Sequence, residues 1–177
     1  AFSVAIPAFA AYETPFEDSK FFEYEDYSIH YRVFEAENPV GQIFMIHGFA
    51  LSSYCWVELA TRLVAEGYTC VMADLPEFGN STRETAGMEK LPREDIMHAL
   101  MTELSSDPWY LAGHSMGGGV SVNIAIEEDV QALLLYCPAP QSEFPSVMKG
   151  IMTSSPMKLF MNLFFNYGTR IAPLVKM

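Results

Sequence analysis

The chain has 177 residues, half of them hydrophobic and 14% aromatic, so it is long enough for one packed domain and too apolar for a disordered chain. Acidic residues outnumber basic ones by 22 to 10, and a negative surface of this kind disfavours nucleic acid as a partner. No apolar stretch reaches the ~20 residues of a membrane span, so no transmembrane segment is predicted. The 3 cysteines and 4 histidines lack metal-ligand spacing, and we predict no metal.

The first ten residues are apolar and precede an abrupt polar run. They end in Ala8-Phe9-Ala10, which has the small-x-small pattern of a signal-peptidase site. The pattern predicts that residues 1–10 are the remnant of a signal peptide, which would place the protein outside the cell or in the cell envelope. A short apolar strand or a frayed end is the alternative, and the protein would then be cytoplasmic.

From residue 20 onward, strand patterns and helix patterns alternate along the chain. Residues 20–35 alternate apolar and polar side chains about a turn at Glu25-Asp26, which predicts an antiparallel edge hairpin. Residues 42–46 form a short apolar run, which predicts a strand buried on both faces. The further predicted elements are a helix from Ser52 or Ser53 to residue 66, a strand 69–73, a helix 92–104, a strand 109–112, a helix 115–126 and a strand 132–136.

Alternating units of this length predict an α/β fold, with a mostly parallel sheet and helices on both of its faces. Cys70 and Cys137 lie in or beside apolar strand patterns, which predicts two buried thiols. Residues 148–165 are rich in Met and Phe and predict apolar helices. We favour ordinary helix packing for this segment, with contact to an acyl chain as the alternative.

The strongest motif, Gly113-His114-Ser115-Met116-Gly117, connects a predicted strand directly to a predicted helix. This is the context that a nucleophile elbow requires, because so tight a turn needs the small residues Gly113 and Gly117 beside the serine. The turn places the Ser115 hydroxyl at a helix N-terminus, where the dipole favours developing negative charge. We predict Ser115 as the nucleophile, with a helix N-cap as the alternative role, and His114 as a packed spacer.

A second motif, His47-Gly48-Phe49, follows the predicted strand at residues 42–46. In folds with a nucleophile elbow, one oxyanion donor is the N–H of the residue after the nucleophile, and the other comes from the loop after the third strand. We therefore predict the backbone N–H groups of Met116 and Phe49 as the oxyanion-hole donors. His47 and Gly48 would support this loop.

These two motifs, together with Asp-Leu-Pro-Glu-Phe-Gly-Asn-Ser at residues 74–81, resemble the N-terminal signatures of the α/β-hydrolase superfamily. The resemblance is greatest to its lysophospholipase and monoacylglycerol-lipase-like branch, and it covers only the N-terminal portion, residues 20–137. It implies a serine hydrolase that cleaves carboxylic esters through an acyl-enzyme on Ser115, with a small ester or acyl substrate and no cofactor. Glu77 stands where the family usually has glycine.

The family orders its catalytic triad as Ser, then Asp or Glu, then His, but no histidine follows His114. The resemblance therefore implies that the acid and the base lie beyond residue 177, and that this chain alone is inactive. It assigns residues 11–140 to the N-terminal part of the hydrolase core and residues 141–177 to the beginning of a helical cap, after the signal remnant predicted at residues 1–10. A peptidase or amidase of the same superfamily and a non-catalytic binding module remain the alternatives.

Overall fold

A computed structural model of the chain describes residues 16–139. The predicted signal remnant and the predicted cap lie outside the described residues, and both stay predictions. The elements in chain order are β1 (Ser19–Tyr24), β2 (Tyr27–Phe34), β3 (Gly41–Ile46), a 3-10 helix (Ser53–Trp56) that continues as α1 (Val57–Ala65), β4 (Tyr68–Ala73), α2 (Arg93–Leu104), β5 (Tyr110–His114), α3 (Met116–Glu127) and β6 (Ala132–Tyr136).

The six strands form one sheet in the order β1-β2-β4-β3-β5-β6. Strand β2 is antiparallel to both β1 and β4, whereas β4, β3, β5 and β6 run parallel to one another. The mostly parallel sheet and the antiparallel hairpin at its edge are thereby confirmed. Long crossovers connect the parallel strands, as parallel pairing requires.

Helices cover both faces of the sheet, as predicted. On one face, Trp56 and Ala60 pack with Cys70 and the β3 side chains of Ile43 and Met45. On the other face, α2 and α3 bury the remaining side chains of the central strands; this core includes Phe44, Ile46, Val71, Leu111, Ile96, Met97, Leu100, Val120 and Ile124. Burial of these apolar side chains is the main driving force that holds the three layers together.

The register of the parallel strands brings their carboxyl ends to one edge of the sheet. Ile46 of β3 is paired with Ala73 of β4 on one side and with Gly113 of β5 on the other. The residues that follow these strands, His47, Asp74 and the turn at Ser115, therefore lie along the same edge. In open α/β sheets this is the edge at which ligands bind.

Two local predictions differ from the structure. The helix predicted from Ser52 or Ser53 begins as a 3-10 turn, and neither serine caps it through its side chain; the Ser53 N–H is instead bound by the Asp74 carboxylate. Cys70 is buried as predicted, but Cys137 is exposed, since it follows β6, the outermost strand of the described sheet. Among residues 16–139, no helix has the length and hydropathy of a membrane span.

Candidate active site

Ser115 occupies a strained turn between β5 and α3. Its φ of 50° and ψ of −118° are unusual for a residue with a β-carbon and cost ~1–3 kcal/mol. Backbone hydrogen bonds fix the turn: Ser115 N–H donates to Tyr136 O at 2.9 Å, and Ser115 O accepts from Gly118 N–H and Ala139 N–H, both at 2.9 Å. The end of β6 and the first turn of α3 thus hold the bend from two sides.

The two glycines of the elbow have no room for a side chain. A β-carbon built on Gly113 would lie 2.6 Å from the carbonyl oxygen of Gly117 and would overlap the Ser121 hydroxyl. A β-carbon on Gly117 would overlap the carbonyl oxygens of Ile46 and His47. Gly113 thus allows α3 to turn back closely on β5, and Gly117 allows the start of α3 to pass close to the end of β3.

The structure places the His47-Gly48-Phe49 loop beside the elbow. A β-carbon on Gly48 would lie 2.7 Å from Nδ1 of His114 and 3.1 Å from Cβ of Ser115, so the loop touches both side chains. The His114 ring packs on Gly48, in agreement with its predicted role as a spacer. The Ser115 side chain is half-buried and makes no capping hydrogen bond to α3.

The two predicted oxyanion donors lie on these adjoining segments. Met116 is the first residue of α3, so its N–H is one of those that a helix leaves without an internal partner. Phe49 lies in a turn in which Leu51 N–H donates to Gly48 O at 3.2 Å and Ala50 has a φ of 62°. The Phe49 ring packs edge-on against Phe78, with 5.5 Å between ring centroids.

His47 supports the loop through both of its ring nitrogens. Nε2 accepts a hydrogen bond from Leu75 N–H at 3.0 Å, and Nδ1 lies 2.7 Å from Gly48 O. Because a backbone N–H can only donate and a carbonyl can only accept, the ring is neutral with its proton on Nδ1. Burial lowers the pKa of His47 below its ordinary value, which favours the same neutral form. A ring engaged in this way has no nitrogen left to take a proton from Ser115.

Sequence reasoning missed the role of Asp74, which is fully buried. Oδ1 accepts from Ser53 N–H at 2.5 Å, while Oδ2 accepts from Asn80 N–H and lies 2.8 Å from Nδ1 of His30. Burial raises the pKa of Asp74, but the His30 hydrogen bond and nearby charges outweigh it, and the pKa lies below its ordinary value. The glycine at position 79 leaves room for this carboxylate, since a β-carbon there would overlap it.

His30 also contacts Ser19, with 2.8 Å between Nε2 and the hydroxyl oxygen, so a Ser-His-Asp chain runs through Ser19, His30 and Asp74. These hydrogen bonds do not include Ser115, and His30 is not placed to act as its base. Asp74 follows β4 and Ser115 follows β5, with β3 between them, which separates the two strands by about 10 Å. The His30 ring is also fully buried. Within residues 16–139, no side chain is hydrogen-bonded to the Ser115 hydroxyl.

Comparison with known proteins agrees with the fold and with the motifs. Residues 42–173 match the family model of the alpha/beta hydrolase fold, and the chain belongs to this family. A Synechocystis sp. protein provisionally named a non-heme chloroperoxidase is 30% identical over 157 residues, which cover 78% of this chain and 56% of that protein. Lipase 3 of Moraxella sp. is 33% identical over 107 residues, 57% of this chain and 33% of the lipase.

Among solved structures, the thioesterase domain of the curacin biosynthetic pathway superposes with a TM-score of 0.63 at 27% identity, covering 76% of this chain and 51% of that domain. The chain thus spans between a third and just over half of the length of the relatives it matches. None of these three bears the name of a lysophospholipase or a monoacylglycerol lipase, and the assignment to that branch stays a prediction.

Proposed function

We propose that this protein is a serine hydrolase that cleaves carboxylic esters through an acyl-enzyme on Ser115. One observation supports the proposal above all: Ser115 is held in a left-handed turn at the β5–α3 junction, with the His47-Gly48-Phe49 loop packed against it. Backbone strain of this size persists only where its surroundings enforce it, and such strain is typical of functional sites.

In the proposed reaction, the Ser115 hydroxyl attacks the ester carbonyl carbon and its proton passes to a base. The negative charge that develops on the carbonyl oxygen is held by the N–H groups of Met116 and Phe49 and by the positive end of the α3 dipole. The protonated base then gives its proton to the departing alcohol, and water hydrolyses the acyl-enzyme by the same route. We propose that the acid and the histidine follow residue 177, in the family order.

The names of two relatives support acyl chemistry. Lipase 3 and the curacin thioesterase domain are named for the hydrolysis of acyl esters or thioesters, whereas the Synechocystis protein is named for a different reaction. A nucleophile elbow is common to several reactions of this fold, so the fold alone does not choose the substrate. The ester substrate therefore rests on the combination of elbow, oxyanion loop and these relatives.

The test uses the full-length protein with a set of aryl esters of short and long acyl chains and a set of aminoacyl amides. Ester hydrolysis and covalent labelling by a fluorophosphonate should both be lost in Ser115→Ala and kept in Ser106→Ala, an exposed serine before β5. Preference for the amides would indicate a peptidase or amidase. An unlabelled protein without activity towards either set would contradict the proposal and favour a binding module.

A further inference from the structure

The buried carboxylate of Asp74 connects two segments of the chain that flank the predicted oxyanion hole. Oδ1 binds the N–H of Ser53, which closes the His47-Gly48-Phe49 loop at the start of the 3-10 helix. Oδ2 binds the N–H of Asn80, which lies in the loop after β4. A carboxylate buried this deeply needs such partners, because burial without them is strongly unfavourable.

The loop after β4 also contacts the oxyanion loop directly. The Phe78 ring packs edge-on against the ring of Phe49, at 5.5 Å between centroids, and against that of His47, at 5.7 Å. Leu75 N–H donates to Nε2 of His47 at 3.0 Å. The position of Phe49 is therefore set by the loop after β4, and the position of that loop is set by the Asp74 carboxylate.

His30 is the third hydrogen-bond partner of the Asp74 carboxylate, after the N–H groups of Ser53 and Asn80. Its Nδ1 lies 2.8 Å from Asp74 Oδ2 and its Nε2 lies 2.8 Å from the Ser19 hydroxyl oxygen. An ionised carboxylate can only accept, so Nδ1 donates to Asp74 whether the ring is neutral or protonated. The Ser19 oxygen also accepts a hydrogen bond from Phe16 N–H at 3.1 Å, which fixes Ser19 at the outer end of the Ser19-His30-Asp74 hydrogen-bond series.

We infer that His30 is a positioning residue for the oxyanion hole, acting through Asp74 on the loop that carries Phe49. The inference rests on the proposed function, because it assigns His30 a role in stabilising the oxyanion at Ser115. The side-chain hydrogen bonds of His30 go to Ser19 and Asp74, and its effect reaches Ser115 through the contacts of the Asp74 carboxylate. Among residues 16–139, His30 is the one side chain hydrogen-bonded to the Asp74 carboxylate, whose other two partners are the backbone N–H groups of Ser53 and Asn80.

Two substitutions distinguish the hydrogen bonds that the two ring nitrogens of His30 make. In His30→Asn the amide nitrogen takes the place of Nδ1 and can still donate to Asp74, whereas in His30→Gln it takes the place of Nε2 and can reach only Ser19. In the full-length protein, we expect His30→Gln to slow fluorophosphonate labelling of Ser115 and to lower kcat by about 10- to 100-fold with KM little changed, because the oxyanion contact acts in the transition state. His30→Asn should stay within about threefold of the unsubstituted protein.

Hydrogen exchange provides a second readout that does not depend on activity. His30→Gln should speed amide exchange in residues 47–53 by about tenfold or more relative to His30→Asn, while α3 exchanges at the same rate in both. His98→Gln, at a half-exposed histidine on α2, is the control and should change neither readout. If His30→Gln does not fold, Ser19→Ala loosens the same ring from its outer side and should raise exchange in residues 47–53.

The two proposals fail in different ways. An unlabelled wild-type protein would contradict the function of Ser115, and the exchange measurement would then still decide whether His30 holds the loop that carries Phe49. Equal exchange in residues 47–53 for the Asn and Gln variants would overturn the inference, and so would unequal exchange accompanied by equal labelling rates.

Discussion

At the scale of single residues, Glu77 occupies a backbone conformation that favours glycine. Its φ of 76° is in the left-handed region, which costs a residue with a β-carbon roughly 1–2 kcal/mol. Its carboxylate accepts a hydrogen bond from the backbone N–H of Glu84, and its own N–H donates to Thr82 O at 3.0 Å. The side-chain hydrogen bond partly offsets the strain of this conformation.

Substitution of Glu77 can separate strain from hydrogen bonding. We expect Glu77→Gly to change the free energy of unfolding by less than about 1 kcal/mol, because relief of strain compensates for the lost bond. Glu77→Ala retains the strain and loses the bond, and should destabilise the protein by about 1–2 kcal/mol. Urea unfolding of both variants measures the difference; equal stabilities would show that the backbone at Glu77 is not strained.

A pH-dependent contribution to stability is expected from His47. Burial lowers its pKa from the ordinary 6.5, so the folded protein binds this proton less readily than the unfolded chain. The stability that His47 contributes is therefore complete above pH 6.5 and is lost as the pH falls through the folded-state pKa. The depressed pKa of Asp74 acts in the same direction but only below its ordinary 3.8, in a separate window.

The measurement is urea unfolding of the full-length protein and of His47→Gln between pH about 5 and about 8. His47→Gln removes the titrating ring while its amide oxygen can still accept from Leu75 N–H. The pH dependence should be shallower in this variant than in the unsubstituted protein, although the variant is less stable at neutral pH. Parallel curves would contradict the assignment of a neutral ring to His47.

At the scale of elements, the hydrophobic pattern of the sequence predicted the helices and strands whose side chains are buried by packing within the sheet layers. The apolar runs that became β3, β4 and β5 are buried on both sides, so the side chains themselves carried the signal. The start of α1 was less predictable because Asp74, 21 residues further along the chain, binds Ser53 N–H in place of a local cap. The contact between His30 and Asp74 spans 44 residues and has no local signal at all.

The junction of β5 and α3 gives a prediction about packing between elements. Gly117→Ala forces its methyl group against the carbonyl oxygens of Ile46 and His47, at the carboxyl end of β3. Because backbone cannot move aside as a flexible side chain can, we expect a destabilisation of about 1–3 kcal/mol and slower labelling of Ser115. Urea unfolding measures the first effect and fluorophosphonate labelling the second.

Ile126→Ala is the control on the same helix, since Ile126 is 75% exposed and its truncation should change stability by no more than about 0.5 kcal/mol. If Gly117→Ala were as stable as Ile126→Ala, α3 would have to lie further from β3 than the structure places it, and the elbow would be looser than described.

At the scale of the whole molecule, β6 is the outermost strand of the described sheet on the side of Ser115. Leu134, Leu135 and Tyr136 on this strand are each about 40% exposed. An apolar strand at an exposed edge favours pairing with a further strand. We therefore expect β6 to pair with a further strand. The proposed order of the acid and the histidine rests on the family order of the triad and not on this exposure.

The proposal predicts that the 177-residue chain by itself hydrolyses aryl esters far more slowly than the full-length protein. A serine without a base keeps the weak nucleophilicity of an ordinary alcohol, and residual catalysis from the oxyanion hole and binding would be about 10³–10⁴ over water. Both proteins are assayed with the same ester, each beside its Ser115→Ala variant. Turnover by the short chain that matches the full-length protein and vanishes in its Ser115→Ala variant would mean that the base lies within these 177 residues.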